Sequence, residues 1–267
     1  MIQISILGCG WLGFPLSKAL LQNGFSVNGS TTSMDKLAIL GNSGIQPFQI
    51  TLSADKTTGN FDNFLENSKI LIIDVPPKLR GSEKENFVAK IKNTIPFLEK
   101  STIENVIFVS STSVYGESDS VVTEKTEANP ETESGKQLLE TEQLLQNNPN
   151  FKTTILRFGG LIGEDRHPIK FLAGKINLET PNAPINLIHQ DDCIGIILEI
   201  IKQNLWNQTL NAVTPFHPSR KEYYTQKAID LNLELPEFND ETATSGKTIS
   251  SIKIETLLNY TFVKPKL

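Results

Sequence analysis

Three glycines at positions 8, 10 and 13 carry the clearest chemical signal in the sequence. The spacing Gly8-x-Gly10-x-x-Gly13 directly follows an apolar run of β type and directly precedes a helical pattern. In that setting the first glycine permits a tight turn, the second lets a phosphate approach the backbone, and the third lets the helix pack against the strand. Free N–H groups and the positive helix end then attract a pyrophosphate. The spacing therefore predicts a dinucleotide site that includes Trp11 and Leu12.

The residues after the second predicted strand bear on which dinucleotide is bound. A site that prefers NAD usually has an acidic residue there, about 20 residues past the glycines, which holds the ribose 2′-hydroxyl. Residues 28–33 read Asn-Gly-Ser-Thr-Thr-Ser, and the next acid is Asp35. Hydroxyls and a lysine can receive a 2′-phosphate instead, so we expect NADP as the cofactor, with NAD as the alternative. The cofactor-binding residues predicted in this segment are Thr31, Thr32, Ser33 and Lys36.

A second polar segment follows the fifth predicted strand, where residues 109–116 read Val-Ser-Ser-Thr-Ser-Val-Tyr-Gly. This segment resembles the extended short-chain dehydrogenase/reductases, the family that includes nucleotide-sugar epimerases and dehydratases. The glycine turn, the pair Pro76-Pro77 and the Ile-His-x-Asp-Asp stretch at 188–192 resemble an atypical subgroup labelled NAD-dependent epimerase/dehydratase-like. The resemblance covers nearly the whole chain, with further similar segments at 156–163 and 210–213.

The resemblance implies a set of site residues at this end of the sheet. Ser111 takes the place of the catalytic Ser or Thr, three residues before the valine of Val-Tyr-Gly. The catalytic residues expected from the resemblance are Ser111, Lys136 and Tyr115. Further cofactor contacts are expected at Val75, Pro76, Pro77, Ser110, Lys136 and Phe158. Substrate contacts are expected at Thr112, Arg166, His167 and His189, with no metal site.

One departure from the family pattern bears directly on catalysis. The family has Tyr-x-x-x-Lys on one helix, where the spacing puts both side chains on one face. Residues 132–136 read Thr-Glu-Ser-Gly-Lys, so Lys136 is kept and Thr132 stands at the tyrosine position. A threonine hydroxyl is too weak an acid for this role, and general acid–base help is typically worth roughly 10²–10⁴ in rate.

Three interpretations of this departure remain open. In the first, Lys136 and Ser111 bind the nicotinamide ribose and polarise a substrate oxygen, while Tyr115 donates the proton. In the second, the protein binds the dinucleotide as a sensor without reacting. In the third, Tyr223 or Tyr224 approaches from a distal lobe. The role of Arg157, as a buried ion-pair partner or as a substrate anchor, is also open, and Asp191 or Asp192 is expected to cap the following helix.

Alternating strands and helices have to position these residues. The predicted strands are 2–7, 26–30, 47–51, 70–75, 105–110 and 153–157, with a strand-like run at 209–213. The predicted helices are 12–22, 34–40, 61–66, 83–98, 135–146, 192–203 and 219–231. This alternation predicts an α/β fold with a doubly wound parallel sheet of Rossmann type and a small C-terminal α+β substrate lobe. We expect residues 1–160 to form the dinucleotide-binding domain and 161–267 the lobe, with part of the chain returning to the main sheet. Residues 117–134 are expected to be an exposed loop.

Composition restricts the class of protein and its partners. The chain has 267 residues, a formal charge of −5 and two cysteines, and it lacks a cluster of Lys and Arg. Such a chain is a poor ligand for nucleic acid or anionic membranes, because phosphate attraction needs clustered cations. We therefore expect a cytoplasmic monomer or homodimer with a small-molecule substrate. The predicted function is an epimerase/dehydratase-like oxidoreductase acting on a hydroxyl-bearing small molecule such as a sugar nucleotide. The alternative is a non-catalytic NAD(P)H-binding sensor or regulatory protein.

Overall fold

A computed structural model describes residues 2–79, 85–241 and 246–267. Its strands, in chain order, are β1 Gln3–Leu7, β2 Ser26–Thr31, β3 Gln46–Gln49, β4 Thr51–Leu52, β5 Thr57–Thr58, β6 Ser68–Ile73, β7 Asn105–Ser111, β8 Val121–Val122, β9 Lys152–Phe158, β10 Gly160–Ile162, β11 Leu187–His189, β12 Thr209–Ala212 and β13 Thr248–Ile249. Its helices are α1 Gly13–Gln22, α2 Asp35–Asn42, α3 Phe61–Leu65, α4 Phe87–Lys92, α5 Ile95–Lys100, α6 Glu133–Gln146, α7 Ile169–Leu172, α8 Gln190–Lys202, α9 Arg220–Asp230 and α10 Ile252–Leu257.

The main sheet has seven parallel strands within the described residues, in the spatial order β12-β9-β7-β6-β1-β2-β3. Chain order reverses between β1 and β6, and ligands of doubly wound sheets bind at such a reversal, outside the carboxyl ends of the strands. Four consecutive residues of β6, 70–73, are buried, as expected for a central parallel strand covered on both faces. The predicted doubly wound parallel sheet is confirmed.

Helices cover both faces of the sheet and form two separate apolar cores. On one face, α1, α8 and α10 contribute buried leucines and isoleucines such as Leu16, Ile196 and Ile254. On the other face, α3 to α6 contribute a core rich in phenylalanine, including Phe64 and Phe87. Both cores include residues of β1 and β6, the two strands between which the chain order reverses. The carboxyl edge of the sheet at this reversal is therefore packed on both faces.

Two local predictions differ from the structure. The predicted helix 83–98 is two helices, α4 and α5, because Pro96 in the first turn of α5 lacks an N–H and cannot continue the preceding helix. Residues 83–84 of that prediction lie outside the described residues. The predicted exposed loop 117–134 contains β8, whose Val121 and Val122 pair in parallel with β13.

A smaller lobe is built around the two-stranded sheet β10-β11 and the helices α7 and α9. Its own apolar core includes Ile169, Ile185 and Tyr224. Between its elements, β12 returns to the main sheet beside β9, as the sequence predicts. None of the described helices combines the length and the apolar character that crossing a membrane requires.

Candidate functional site

The turn between β1 and α1 needs glycine at two positions for reasons internal to the fold. Gly8 has a φ of +109°, and an added Cβ there would clash with the backbone carbonyl oxygen of Asp74. An added Cβ at Gly13 would clash with the carbonyl oxygen of Gly8. At Gly10, by contrast, nothing lies within 4 Å of an added Cβ. The space over Gly10 is open, as it must be for a ligand that approaches the backbone.

Two backbone N–H groups at this turn have no acceptor. The N–H groups of Gly8 and Cys9 both donate to Ser30, at 2.9 Å to its Oγ and 2.7 Å to its carbonyl oxygen. For the N–H groups of Trp11 and Leu12, the described part of the chain supplies no acceptor. Helix α1 also begins without a side-chain cap or an acidic residue in its first turn. An uncapped helix start of this kind favours an anion.

Two cavities meet at the glycine turn. One of about 330 Å³, here named the β2-side cavity, has a polar lining of Ser30, Thr31, Thr32, Lys36, Lys78 and Lys90. The other, of about 290 Å³ and named the β7-side cavity, is lined by Trp11, Leu12, Pro77, Val109, Ser110, Ser111, Leu138, Leu161 and Arg166. Both are also lined by Gly10, Asp74, Val75 and Pro76. The two cavities therefore form one crevice, which brings together most of the residues predicted for the cofactor.

Positive charge dominates the β2-side cavity. Lys36 comes from α2, Lys78 from the segment after β6, and Lys90 from α4. Lys90 is paired with Glu85 at 2.6 Å, whereas the described residues give no carboxylate within 4 Å of Lys36 or Lys78. Sequence reasoning missed Lys78 and Lys90, because they follow β6 and have no spacing relation to the glycines. Ser33 lines neither cavity; its N–H donates to Thr31 Oγ1 at 3.2 Å.

Asp74 follows β6 and stands where the two cavities join. Its Oδ2 would stand 3.2 Å from a Cβ added at Gly13, the first residue of α1. Burial raises the pKa of the Asp74 carboxyl to about 7, partly opposed by the nearby backbone N–H of Gly13 and by the charge of Arg166. Sequence reasoning missed Asp74, although an acid that ends a strand as apolar as β6 was a signal that could have found it.

Beneath the β7-side cavity, polar side chains satisfy one another in a buried network. The guanidinium of Arg157 pairs with the carboxylate of Glu142 at 2.5 Å and donates to the Tyr115 hydroxyl at 2.8 Å. Tyr115 in turn donates to Asn211 at 2.9 Å, and Ser110 Oγ donates to Glu142 at 2.5 Å. Arg157 is thus a buried ion-pair partner and not a substrate anchor.

This network overturns the prediction that Tyr115 is a proton donor. Its side chain is 2% exposed, and its hydroxyl is engaged by Arg157 and Asn211. Burial raises the pKa of Tyr115, although Arg157 acts in the opposite direction. Ser111, by contrast, does line the β7-side cavity; its Oγ also accepts the N–H of Ser113 at 3.1 Å.

The structure places Thr132 and Lys136, which the resemblance aligns with Tyr-x-x-x-Lys, outside the lining of both described cavities. Thr132 is the N-cap of α6, where its Oγ1 accepts the N–H of Gly135 at 3.1 Å. The face of α6 that packs against the sheet carries Gly135, Leu138 and Glu142, all of them buried. Lys136 is exposed and lines neither cavity. Its predicted catalytic and cofactor-binding roles therefore do not fit its position.

The residue of α6 that lines the β7-side cavity is Leu138, and the residue one turn before it, at the i, i+4 spacing, is Ser134. Neither side chain exchanges a proton near neutral pH. In the described part of this cavity, the ionisable side chains are those of Asp74 and Arg166.

The smaller lobe touches the glycine turn through a segment between β10 and α7. The guanidinium of Arg166 lies 4.9 Å from the centre of the Trp11 ring. The Trp11 indole N–H donates to Asp165 at 2.8 Å, and Gln190 at the start of α8 donates to the Trp11 carbonyl at 2.7 Å. These contacts place Arg166 on the wall of the crevice, where the sequence predicted a residue for an anionic ligand.

The predicted role of His167 in substrate binding is wrong. Its Nε2 is 2.9 Å from the Tyr223 hydroxyl, and its Nδ1 accepts the N–H of Ile169 at 3.2 Å. Burial lowers the pKa of His167 to about 4, helped by nearby lysines, so the ring is neutral at physiological pH. Tyr223 and Tyr224 are buried with it in the core of the lobe, which excludes them as distal proton donors.

Four further predictions are corrected by position. His189 is the N-cap of α8, where its Nδ1 accepts the N–H of Asp191 at 3.2 Å, so neither Asp191 nor Asp192 caps this helix. His189 lines neither cavity. Thr112 is buried at the start of a 3₁₀ turn, and Phe158 is 1% exposed within the core on the α1 face. Neither residue lines the crevice.

Comparison with known proteins places this architecture in a family. A scan against protein-family models finds no match. Over 267 residues, however, the chain is 34% identical to Protein YeeZ of Escherichia coli K12, covering 99% of this chain and 97% of YeeZ. The chain belongs to the YeeZ family. The YeeZ protein of E. coli O157:H7 matches to the same extent.

Solved structures establish which fold this YeeZ-family chain shares. UDP-glucuronic acid 4-epimerase of Bacillus cereus, in complex with NAD, superposes with a TM-score of 0.80 at 19% identity, covering 100% of this chain and 92% of the epimerase. MoeE5 in complex with UDP-glucose and NAD gives 0.79 at 18% identity, covering 98% and 93%. A functionally unknown conserved protein of Silicibacter pomeroyi gives 0.80 at 20% identity, covering 100% and 95%. The resemblance to extended short-chain dehydrogenase/reductases is confirmed in the fold.

Proposed function

We propose that this protein binds a nicotinamide dinucleotide across the glycine turn. The proposal is carried by the N–H groups of Trp11 and Leu12, which have no acceptor among the described residues and lie beside the open space over Gly10. The pyrophosphate occupies that space, the adenosine half the β2-side cavity, and the nicotinamide half the β7-side cavity. NAD in the B. cereus epimerase and in MoeE5, which share this fold, supports the choice of ligand.

Within this proposal, NADP is the preferred coenzyme and NAD the alternative. The first acidic residue after β2 is Asp35, which is not among the residues that line the β2-side cavity, whereas Thr31 and Thr32 offer hydroxyl groups there. Lys36 and Lys78 line the same cavity and have no carboxylate partner among the described residues. A 2′-phosphate would give both lysines a charged acceptor.

The reaction proposed is hydride exchange with a hydroxyl-bearing small molecule, of which a sugar nucleotide is the leading example. When bound, the coenzyme supplies the hydride donor or acceptor. Ser111 hydrogen-bonds the reacting oxygen from the end of β7, and Arg166 attracts an anionic group of the substrate. Residues 1–160 hold the coenzyme, and 161–267 contribute the substrate-binding lobe. UDP-glucose bound to MoeE5, and UDP-glucuronic acid bound to the B. cereus epimerase in a further complex, support this substrate class.

A second candidate function is a non-catalytic NAD(P)H-binding sensor. It is favoured by one observation, namely that Ser134 and Leu138 stand on the helix face where a proton-transfer pair would be needed. The named activities of the solved neighbours favour the enzyme instead. A hydride-exchange measurement distinguishes the two functions. An enzyme transfers the label from NADPH to a substrate pool, and a sensor leaves the label on the coenzyme.

Coenzyme binding itself is tested with Gly10→Ala. The fold has room for this methyl group, but it fills the space assigned to the pyrophosphate. We expect Gly10→Ala to keep the wild-type melting temperature and to weaken NADPH binding at least tenfold. The matched control is Gly41→Ala on the exposed face of α2, which should bind normally. At NADPH concentrations of 100 times Kd, the wild type should gain about 2.7 kcal/mol of stability. Equal NADPH affinity in all three proteins would refute the proposed site.

A further inference from the structure

Asp74 carries the only carboxyl group among the described residues that line the crevice. It lies where the cavities join, and its Oδ2 would stand 3.2 Å from a Cβ added at Gly13. The backbone N–H of Gly13, one of the first N–H groups of α1, favours the ionised form of Asp74. A carboxylate therefore occupies the edge of the space that the proposed function assigns to the coenzyme's pyrophosphate.

The charged and titratable groups around Asp74 come from several elements. Arg166 faces it from the smaller lobe, and the thiols of Cys9 and Cys193 face it from the glycine turn and from α8. Burial raises the pKa of both thiols, so both are neutral at physiological pH. Across the β2-side cavity stand three lysines, Lys36, Lys78 and Lys90. On the β7 side, a bound phosphate therefore competes with Asp74 for the positive charge of Arg166.

We propose that Asp74 takes up one proton from solvent when a dinucleotide binds, so that coenzyme affinity depends on pH through this one side chain. The inference rests on the proposed function. A pyrophosphate beside Asp74 repels the carboxylate and draws Arg166 towards itself, and both effects favour the neutral acid. As a neutral acid, Asp74 can donate its proton to a phosphate oxygen of the coenzyme.

The direction of the pH effect follows from the pKa of Asp74 in the protein without coenzyme. Burial holds the pKa of Asp74 in the free protein at about 7, and an adjacent pyrophosphate raises it further. Above pH 7 the Asp74 carboxyl of the free protein is ionised, and it must bind a proton before or during coenzyme binding. The Kd should therefore rise with pH between 7 and 9, by up to tenfold per pH unit.

The experiment is isothermal titration of the full chain with NADH from pH 6 to 9, in buffers of different ionisation enthalpy. NADH is used because the 2′-phosphate of NADPH titrates near pH 6 by itself, as phosphate monoesters do. We expect the wild type to take up close to one proton per NADH at pH 8. Asp74→Asn should take up none, and its Kd should be independent of pH. Asp62→Asn, at an exposed acid of α3, is the matched control and should behave as the wild type does.

Each other outcome overturns the inference. Tight NADH binding by the wild type without proton uptake would leave the proposed function standing and remove the role of Asp74. Proton uptake that persists in Asp74→Asn would assign the proton to another group. Absence of binding of both NADH and NADPH at every pH in all three proteins would overturn the inference together with the proposed function.

Discussion

Polar groups on the two sides of the glycine turn are in opposite states. In the β2-side cavity, Lys36 and Lys78 have no carboxylate partner in the described residues and face open space. Beneath the β7-side cavity, Tyr115, Arg157 and Glu142 are bonded to one another and buried. The described part of the fold thus leaves charged side chains unpaired on one side and uses polar side chains for its own stability on the other.

The largest effect is expected where the buried network is broken. Arg157→Leu leaves the carboxylate of Glu142 buried without its cation, which should lower the free energy of unfolding by about 3–5 kcal/mol. The control, Lys69→Ala, removes the exposed pair with Glu104 and should cost less than about 1 kcal/mol. Urea denaturation measures both. Equal losses in the two variants would show that the network is not a special feature of the β7 side.

The next effect concerns Asp74, which belongs to both cavities. Its pKa is near 4 in the unfolded chain and about 7 when folded, so between these values only the folded state keeps the proton. The free energy of unfolding therefore falls as pH rises from 4 to 7 and stays low above that. Asp74→Asn should match the wild type at pH 4 and exceed its stability at pH 8 by about 4 kcal/mol. Parallel stability–pH curves for the two proteins, measured by urea denaturation, would contradict the raised pKa.

A smaller effect is expected from restoring proton transfer on the β7 side. Ser134→Tyr with Leu138→Lys puts Tyr-x-x-x-Lys on the face of α6 that lines the cavity. Hydride transfer from labelled NADPH to a pool of sugar nucleotides and carbonyl compounds should rise at least tenfold, towards the range typical of general acid–base catalysis. Thr132→Tyr is the control: it removes a helix cap without reaching the cavity, so it should not raise transfer. If Thr132→Tyr alone raised hydride transfer, the position of the catalytic tyrosine would be residue 132 and not residue 134.

The smallest effect tests coenzyme choice on the β2 side. Lys36→Ala should weaken NADPH binding about fivefold, since one charge-assisted hydrogen bond to the 2′-phosphate is lost, and should change NADH binding less than twofold. Lys18→Ala on the exposed face of α1 serves as the control. Titration calorimetry gives both constants. An equal loss for NADPH and NADH would show that Lys36 acts on the pyrophosphate or not at all.

Local patterns in the sequence were sufficient for the sheet and the glycine turn. Strand periodicity and the chemistry of Gly8, Gly10 and Gly13 depend on neighbours within a few residues, so they can be identified without tertiary contacts. The turn residues Thr31, Thr32 and Lys36 follow from the same strand-by-strand argument. The structure brings these residues to one crevice, together with Pro76 and Ser111 on the β7 side.

The active-site half could not be predicted in the same way, because its arrangement depends on helix rotation and burial. Lys136 and Leu138 are two residues apart, yet they lie on nearly opposite sides of α6, and the motif spacing alone does not say which one faces the sheet. Tyr115 and His167 look like candidate catalysts in sequence because their buried partners, Asn211 and Tyr223, are distant along the chain.

The central claim is that the glycine turn binds a coenzyme pyrophosphate through the N–H groups of Trp11 and Leu12. A crystal structure of the protein with NADPH tests it most directly. The account predicts pyrophosphate oxygens over Gly10, roughly 2.7–3.2 Å from the nitrogen atoms of both residues. NADPH bound elsewhere on the protein, or an empty crevice at saturating NADPH, would contradict it.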